Sequence, residues 1–288
     1  MNEIKRIAAV HDISGFGKCS LTVALPVISA SGVECSVLPT ALLSTHTGGF
    51  TDFTFRDLSD EMLPIARHWK SVGAEFDGIY SGYLANSAQA ELLRNAVNII
   101  STERTKIIVD PVMADNGSYY QGFGEDMCTA FRGLCAGADI ITPNITEAAL
   151  LTGIPYHGGP HSDEYIDSLI NGLSSLCSGV IALTGVCTHE ENVGAVSVDV
   201  KSGKRHLSLR PVREGTFHGT GDIFASAFSA LIIRGAALED ATELSISLVS
   251  DSIDRTAKRG TPRRNGVDFE NALPAYITKV SQLFGEQI

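Results

Sequence analysis

Gly219-Thr220-Gly221-Asp222 stands directly before Ile223-Phe224-Ala225-Ser226-Ala227-Phe228, which reads as the start of a helix. Two glycines permit a tight turn whose N–H groups point the same way, and a helix N-terminus adds partial positive charge. Such a turn suits the oxygens of a transferring phosphoryl group. Asp222 at its mouth would take the proton of an attacking hydroxyl. By spacing alone, an aspartate that only stabilises a helix start after a glycine turn is the competing reading.

Other polar segments offer complementary chemistry. Asp12-Ile13-Ser14-Gly15-Phe16-Gly17-Lys18-Cys19-Ser20 is glycine-rich but is not a Walker loop. With Gly17-Lys18 fixed, the pattern needs Gly where Asp12 stands and Ser or Thr where Cys19 stands. A dinucleotide fingerprint fails too, because Ser20 and Phe224 occupy the third glycine positions. What remains is a turn after a strand, with Asp12 and Ser14 facing whatever fills the site. Asp110-Pro111-Val112-Met113-Ala114-Asp115 places a carboxylate at a strand end. With Asp115 and Glu147 near, it would hold Mg²⁺ directly or through water; a simple Asp-Pro turn is the alternative. In Thr142-Pro143-Asn144-Ile145-Thr146-Glu147, Asn144 or Thr146 suits a helix cap and Glu147 the first turn. A metal role arises only if Asn144 and Glu147 face the ion. Thr45-His46-Thr47-Gly48-Gly49-Phe50 and Ser81-Gly82-Tyr83-Leu84 together suit a flat heteroaromatic ring.

The intervening sequence predicts the elements that position these groups. Short apolar runs predict strands at Ile4–Val10, Val33–Leu38, Phe76–Ser81, Ile107–Val109, Ala138–Ile141 and Val180–Leu183. Helical patterns cover Ser20–Ser31, Leu58–Ser71, Ser87–Ile100, Thr146–Leu151 and Asp163–Leu176, with Gly153 as a stop. Val193–Val200 and Arg205–Leu209 read as a hairpin, followed by helices at Asp222–Arg234, Glu239–Ala257 and Phe269–Phe284. Continuous apolar strands alternating with helices imply an α/β fold: a mostly parallel sheet, helices on both faces, and an antiparallel hairpin at one edge. With no linker or repeat, residues 1–288 are expected to form a single domain. Asp115–Gly124, around Tyr119-Tyr120, is expected to be a mobile flap.

Composition bounds the partners. The 288 residues carry a formal charge of −11, which argues against a nucleic-acid backbone as partner. No stretch of about 18 uncharged apolar residues occurs, so no membrane span is expected. Six cysteines include no Cys-x-x-Cys pair, which fits reduced thiols in a cytoplasmic protein.

Asp12–Ser20, Ser44-Thr45-His46-Thr47-Gly48, Ser81-Gly82-Tyr83, Asp110-Pro111-Val112-Met113, Ile141-Thr142-Pro143-Asn144 with Glu147, and Gly219–Asp222 occur in the order found in the pyridoxal/pyridoxamine (vitamin B6) kinases. The chain resembles that family, part of the ribokinase-like superfamily, over nearly its whole length. The resemblance implies ATP-dependent phosphorylation of the 5′-hydroxymethyl group of a B6 vitamer. It implies Asp222 as base, Gly219, Thr220 and Gly221 as anion hole, and Asp110, Asn144 and Glu147, with Asp115 nearby, as the Mg²⁺ and phosphate shell. Thr184 and Gly185 would contact the nucleotide. Ser14, His46, Thr47 and Tyr83, with Asp12, would line the pyridine pocket. A monovalent cation such as K⁺ and a homodimer are implied as well. Two positions depart from the pattern: some B6 kinases carry Ser where Asp12 falls, and the usual Gly after Asp-Pro-Val-Met is Ala114. The first loop is closer to that of hydroxymethylpyrimidine kinases, which gives the nearest alternative; a non-catalytic pyridoxal-phosphate binder is another.

Overall fold

A computed structural model describes residues 4–286. Nine strands form one sheet in the order β11-β10-β9-β8-β5-β4-β1-β2-β3. The inner strands β1 (Arg6–Phe16), β2 (Glu34–Thr45), β4 (Gly78–Ser81), β5 (Lys106–Val109), β8 (Ile140–Ile141) and β9 (Val180–Val186) run parallel. The hairpin β10 (Asn192–Asp199) and β11 (Arg205–Pro211) adds an antiparallel edge, as its sequence predicts. The opposite edge is β3 (Phe55–Asp57), a short antiparallel strand that the sequence did not announce.

Both faces of the sheet are apolar, and alternation along β1 divides them. Ala8 and Val10 join the core beneath α2 (Ser59–Ser71), α3 (Gln89–Ile100), α4 (Glu125–Cys135), α5 (Ile145–Thr152) and α6 (Asp163–Ser174). Ile7 and Ala9 join the core beneath α1 (Leu21–Ala30), α7 (Thr220–Arg234), α8 (Leu238–Arg259) and α9 (Leu273–Phe284). Burial on both faces explains why these strands read as unbroken apolar runs instead of alternating ones.

Several boundaries differ from the sequence expectation in ways that matter for the site. β1 continues six residues beyond Val10, and its register with β2 shifts between His11 and Ile13. Asp12 therefore sits at a bulge, a device that re-aims a side chain. Helix α4 and the small hairpin of β6 (Ala114–Asp115) and β7 (Ser118–Tyr119) were not anticipated. Helix α9 begins at Leu273 instead of Phe269, because Phe269 is buried in a turn whose carbonyl accepts from Ala272 and Leu273. All six cysteines are free thiols, and among the described residues no helix is long and apolar enough to cross a membrane.

Phe131 on α4 is fully buried. Phe131→Ala is expected to lower the unfolding free energy by about 3–5 kcal/mol in a urea titration, the cost of a large core cavity.

Candidate active site

The polar segments converge at the carboxyl ends of the parallel strands, where the tops of β1, β5 and β8 meet the start of α7. Gly219 caps α7 with φ +80°, in the left-handed region. A Cβ there would stand 2.0 Å from the Lys18 carbonyl oxygen, so only glycine allows this turn to lie against the first loop. The Thr220 hydroxyl donates to the Phe217 carbonyl at 3.2 Å and so serves the turn. Gly221 is exposed, with open space around it. The N–H groups of this first helical turn have no carbonyl one turn back to bond, which leaves them available to an anion.

Asp222 lies in that first turn, and its carboxylate accepts the backbone N–H of Ser20. Ser20 has φ 55° and ψ −131°, a conformation that costs a non-glycine residue on the order of 1–3 kcal/mol. An isolated bridge between Ile13 and Ser20 closes the intervening loop and holds that geometry. Burial pushes the Asp222 carboxyl up to about 7, and the negative charge of Asp12 adds to the rise while the Ser20 N–H opposes it.

Asp12 is 3% exposed. The Ser14 hydroxyl donates to its Oδ2 at 2.8 Å. Its carboxyl is raised by burial, with the hydroxyls of Ser20 and Ser14 acting against the shift. The Cys19 thiol faces both Asp12 and Asp222 and is held protonated by burial and by their charge.

Asp110 is buried at the end of β5, and burial together with Asp222 raises its carboxyl. Glu147 is also buried but is committed elsewhere. One of its oxygens accepts Met113 N–H at 3.1 Å and the other Asn144 N–H at 2.9 Å. The Asn144 side chain in turn accepts Glu147 N–H at 2.9 Å, completing a capping box at the start of α5. Its amide also donates to the Ala114 carbonyl at 2.8 Å. The capping reading of this segment is thus what the geometry shows. Burial, with the charge of Asp110 adding to it, raises the Glu147 carboxyl against the pull of these backbone donors. Asp110 and Glu147, the two carboxylates expected to bind Mg²⁺, are both buried, interact with each other, and have no cationic partner among the described residues.

Part of the expected Asp115–Gly124 flap is hydrogen-bonded to α5. The β6–β7 hairpin is bolted to α5 by Asn144, by Gly117 N–H on the Thr146 hydroxyl at 3.0 Å, and by Glu147 beneath it. Beyond β7, Tyr120 N–H bonds the Met113 carbonyl at 2.9 Å, and Phe123, between Gly122 and Gly124, stacks on Tyr83 with centroids 5.6 Å apart. Tyr83 is half-buried, and burial with Asp12 nearby pushes its phenol up to about 12.

Both ring nitrogens of His46 are engaged within the protein. Its Nδ1 accepts Gly48 N–H at 3.0 Å, so the neutral ring donates from Nε2 to the Arg264 carbonyl at 2.6 Å. It ties the Thr45–Phe50 segment to the loop before α9. Thr47 is exposed beside it. Thr184 pairs with Asn144 in an isolated parallel bridge, its N–H bonded to the Pro143 carbonyl at 2.9 Å. The adjacent Gly185 is exposed with φ +74°. Asp115 is exposed on the hairpin and interacts with the half-buried His218 across the cleft. Sequence reasoning missed Cys19, Ser20, Phe123 and His218. Only Phe123, an aromatic residue between two glycines, carried a local signal.

Known proteins share this fold. A family profile described as phosphomethylpyrimidine kinase matches residues 24–266. A Bacteroides thetaiotaomicron protein, provisionally assigned as a phosphomethylpyrimidine kinase and crystallised in a form with pyridoxal, is 33% identical with a TM-score of 0.90, covering 95% of this chain and 96% of its own. Pyridoxal kinase from Lactobacillus plantarum is 30% identical with a TM-score of 0.87, covering 97% and 99%. A pyridoxine/pyridoxal/pyridoxamine kinase of Bordetella avium is 30% identical over 83% of this chain and 81% of its own. The resemblance seen in the motifs and the α/β architecture expected from the sequence both hold, and the chain belongs to the phosphomethylpyrimidine kinase family, a group of ribokinase-like kinases with pyridoxal kinases among its relatives.

Proposed function

We propose that the protein transfers the γ-phosphoryl group of ATP to the 5′-hydroxymethyl group of pyridoxal, pyridoxine or pyridoxamine, acting as one domain over residues 1–288. The observation that carries this reading is the meeting of Asp222 and the Gly219–Gly221 turn with Asp12 and Cys19 at one point of the sheet edge. The two relatives at 30% identity are named for B6 kinase activity, which supports the vitamer as substrate.

In this mechanism the vitamer lies near Asp12 and Tyr83, and the nucleotide runs along the strand ends past Asn144, Thr184 and Gly185. Asp222 accepts the proton of the 5′-hydroxyl as its oxygen forms a bond to the γ-phosphorus. The bond from that phosphorus to the departing ADP oxygen breaks in line. The N–H groups of the Gly219–Gly221 turn hold the charge on the equatorial oxygens. Mg²⁺ at Asp110 would neutralise part of the phosphate charge. Glu147 and Asn144 act at one remove, by fixing the hairpin and the start of α5.

A monovalent cation such as K⁺, a cytoplasmic setting and a homodimer belong to the same proposal. Six free cysteines support the reducing compartment. Phe16, Leu42 and Phe55, each about half exposed on β1, β2 and the edge strand β3, support the dimer. The family description, and a first loop close to that of hydroxymethylpyrimidine kinases, favour a second reading, phosphorylation of a hydroxymethylpyrimidine.

A vitamer-resolved assay with ATP and Mg²⁺ decides between them. The proposal expects 5′-phosphates from the B6 vitamers with higher kcat/KM than from hydroxymethylpyrimidine; the reverse order would favour the second reading. Asp222→Asn is expected to lower kcat by about 10²–10⁴-fold while ATP affinity stays within a few-fold. Because the base must be ionised, kcat/KM should rise through an acid limb near pH 7, where burial has pushed Asp222, instead of near the usual carboxylate range.

A further inference from the structure

Arg263 and Arg264 stand on a short helical turn, Arg263–Asn265, between α8 and α9, and belong to none of the motifs that carry the family resemblance. Both are exposed, and among the described residues no carboxylate pairs with either guanidinium. Each is laid on an aromatic ring instead. Arg263 Cζ is 5.1 Å from the centroid of Phe217, and Arg264 Cζ is 5.3 Å from that of Phe50. Phe217 stands two residues ahead of the Gly219–Gly221 turn, and Phe50 closes the segment that His46 ties down. The placement is over-determined. Gly215 has φ +99°, and a Cβ there would stand 1.3 Å from an Arg263 guanidinium nitrogen, so glycine lets this loop close against the cation. The Arg264 carbonyl accepts from His46 Nε2 at 2.6 Å, and Gly266 packs on Lys18, whose carbonyl meets Gly219. A pure brace between loops would need no charge here, and two neighbouring cations repel each other.

We infer that Arg263 and Arg264 form a receiving site for the polyphosphate of the nucleotide, drawing it to the Gly219–Gly221 turn and holding its outer oxygens. The inference rests on the proposed kinase function. A guanidinium that lies on a ring keeps its planar edge of N–H donors free for an anion. Two such edges beside an anion turn suit a ligand that carries several negative oxygens in a row. The chain as a whole carries a charge of −11, so a polyphosphate approaches against repulsion everywhere else. A local pair of unpaired cations at the rim reverses that field where the ligand must enter. The two arginines come from one turn but rest on two loops, so an anion bound across them also links the approach to α7 with the Thr45–Phe50 segment. Proton removal stays with Asp222; the pair acts on nucleotide capture.

The test is the dissociation constant of MgATP and of inorganic tripolyphosphate by calorimetry, together with KM for ATP and for pyridoxal. It compares the unaltered protein with Arg263→Gln, Arg264→Gln, the double glutamine variant, and Arg263→Lys and Arg264→Lys. Each glutamine variant should weaken both ligands by about three- to tenfold, and the double variant by about ten- to a hundredfold, as expected for charge-assisted hydrogen bonds at a solvated rim. KM for ATP should rise in step while KM for pyridoxal stays within about twofold. Lysine keeps the charge and loses the planar fork, so the lysine variants should recover part of the loss. Added salt should weaken tripolyphosphate binding less in the double variant than in the unaltered protein. Binding of both ligands within about twofold in the double variant would overturn the inference. So would a rise in KM for pyridoxal that matches the loss for ATP, the mark of a rim that has come apart. Arginine-dependent binding of tripolyphosphate by a protein that phosphorylates no vitamer would instead overturn the proposed function and leave the polyphosphate contact standing.

Discussion

Asp12 and Asp110, both buried, and the half-buried Asp222 stand at one edge of one sheet, and among the described residues no lysine or arginine pairs with any of them. Each raises the free energy of the folded chain once ionised, and Asp222 raises both of the others' cost or shares it. Such an arrangement persists only where the surrounding structure over-determines it and where function uses it. The remaining features of the site derive from that constraint. The protein opposes the repulsion with dipoles, not with cations: the Ser20 N–H on Asp222 and hydroxyls on Asp12. The positive charge is left for ligands to bring.

Keeping those groups in place demands rigid supports. The Lys18 carbonyl against Gly219 and the Ile13–Ser20 bridge join the first loop to the start of α7. The capping box of Asn144 and Glu147 joins the start of α5 to the β6–β7 hairpin. His46 joins the Thr45–Phe50 segment to the loop before α9. Three junctions, each made of neutral or backbone donors, therefore surround the charged centre. Phe123, flanked by glycines and stacked on Tyr83, lies outside them.

Much of this was legible in the sequence. Parallel strands buried on both faces leave unbroken apolar runs, while Gly153, Gly219 and the Lys201–Lys204 turn mark the end of α5, the start of α7 and the edge hairpin. The Gly219–Asp222 turn and the carboxylate after β5 were visible because turns and strand ends restrict residue type. Helix α4 was missed although Met127, Cys128, Phe131, Leu134 and Cys135 recur at helical spacing, because the glycine-rich stretch before it drew the reading toward a loop. The hydrogen bonds that engage Glu147 and His46 were not legible for another reason. A residue type states which hydrogen bonds a side chain is able to make; only the packed chain decides whether backbone groups take them first. The φ of Ser20 and the bulge at Asp12 have no sequence signal, since both are imposed by long-range contacts with α7 and β2.

Asp222 ionises against the preference of its surroundings, and stability reports that cost. Its folded-state value lies near 7, above the ordinary value of 3.8, so the folded protein binds the extra proton between those limits. The stability associated with that proton is complete at low pH and is lost as the pH rises through the folded value. The unfolding free energy of the ligand-free protein should therefore be compared with that of Asp222→Asn from pH 5 to pH 8. The asparagine variant is predicted to gain about 1–3 kcal/mol relative to the unaltered protein across that range. Two stability curves that stay parallel, or a variant that loses ground as the pH rises, would contradict the account.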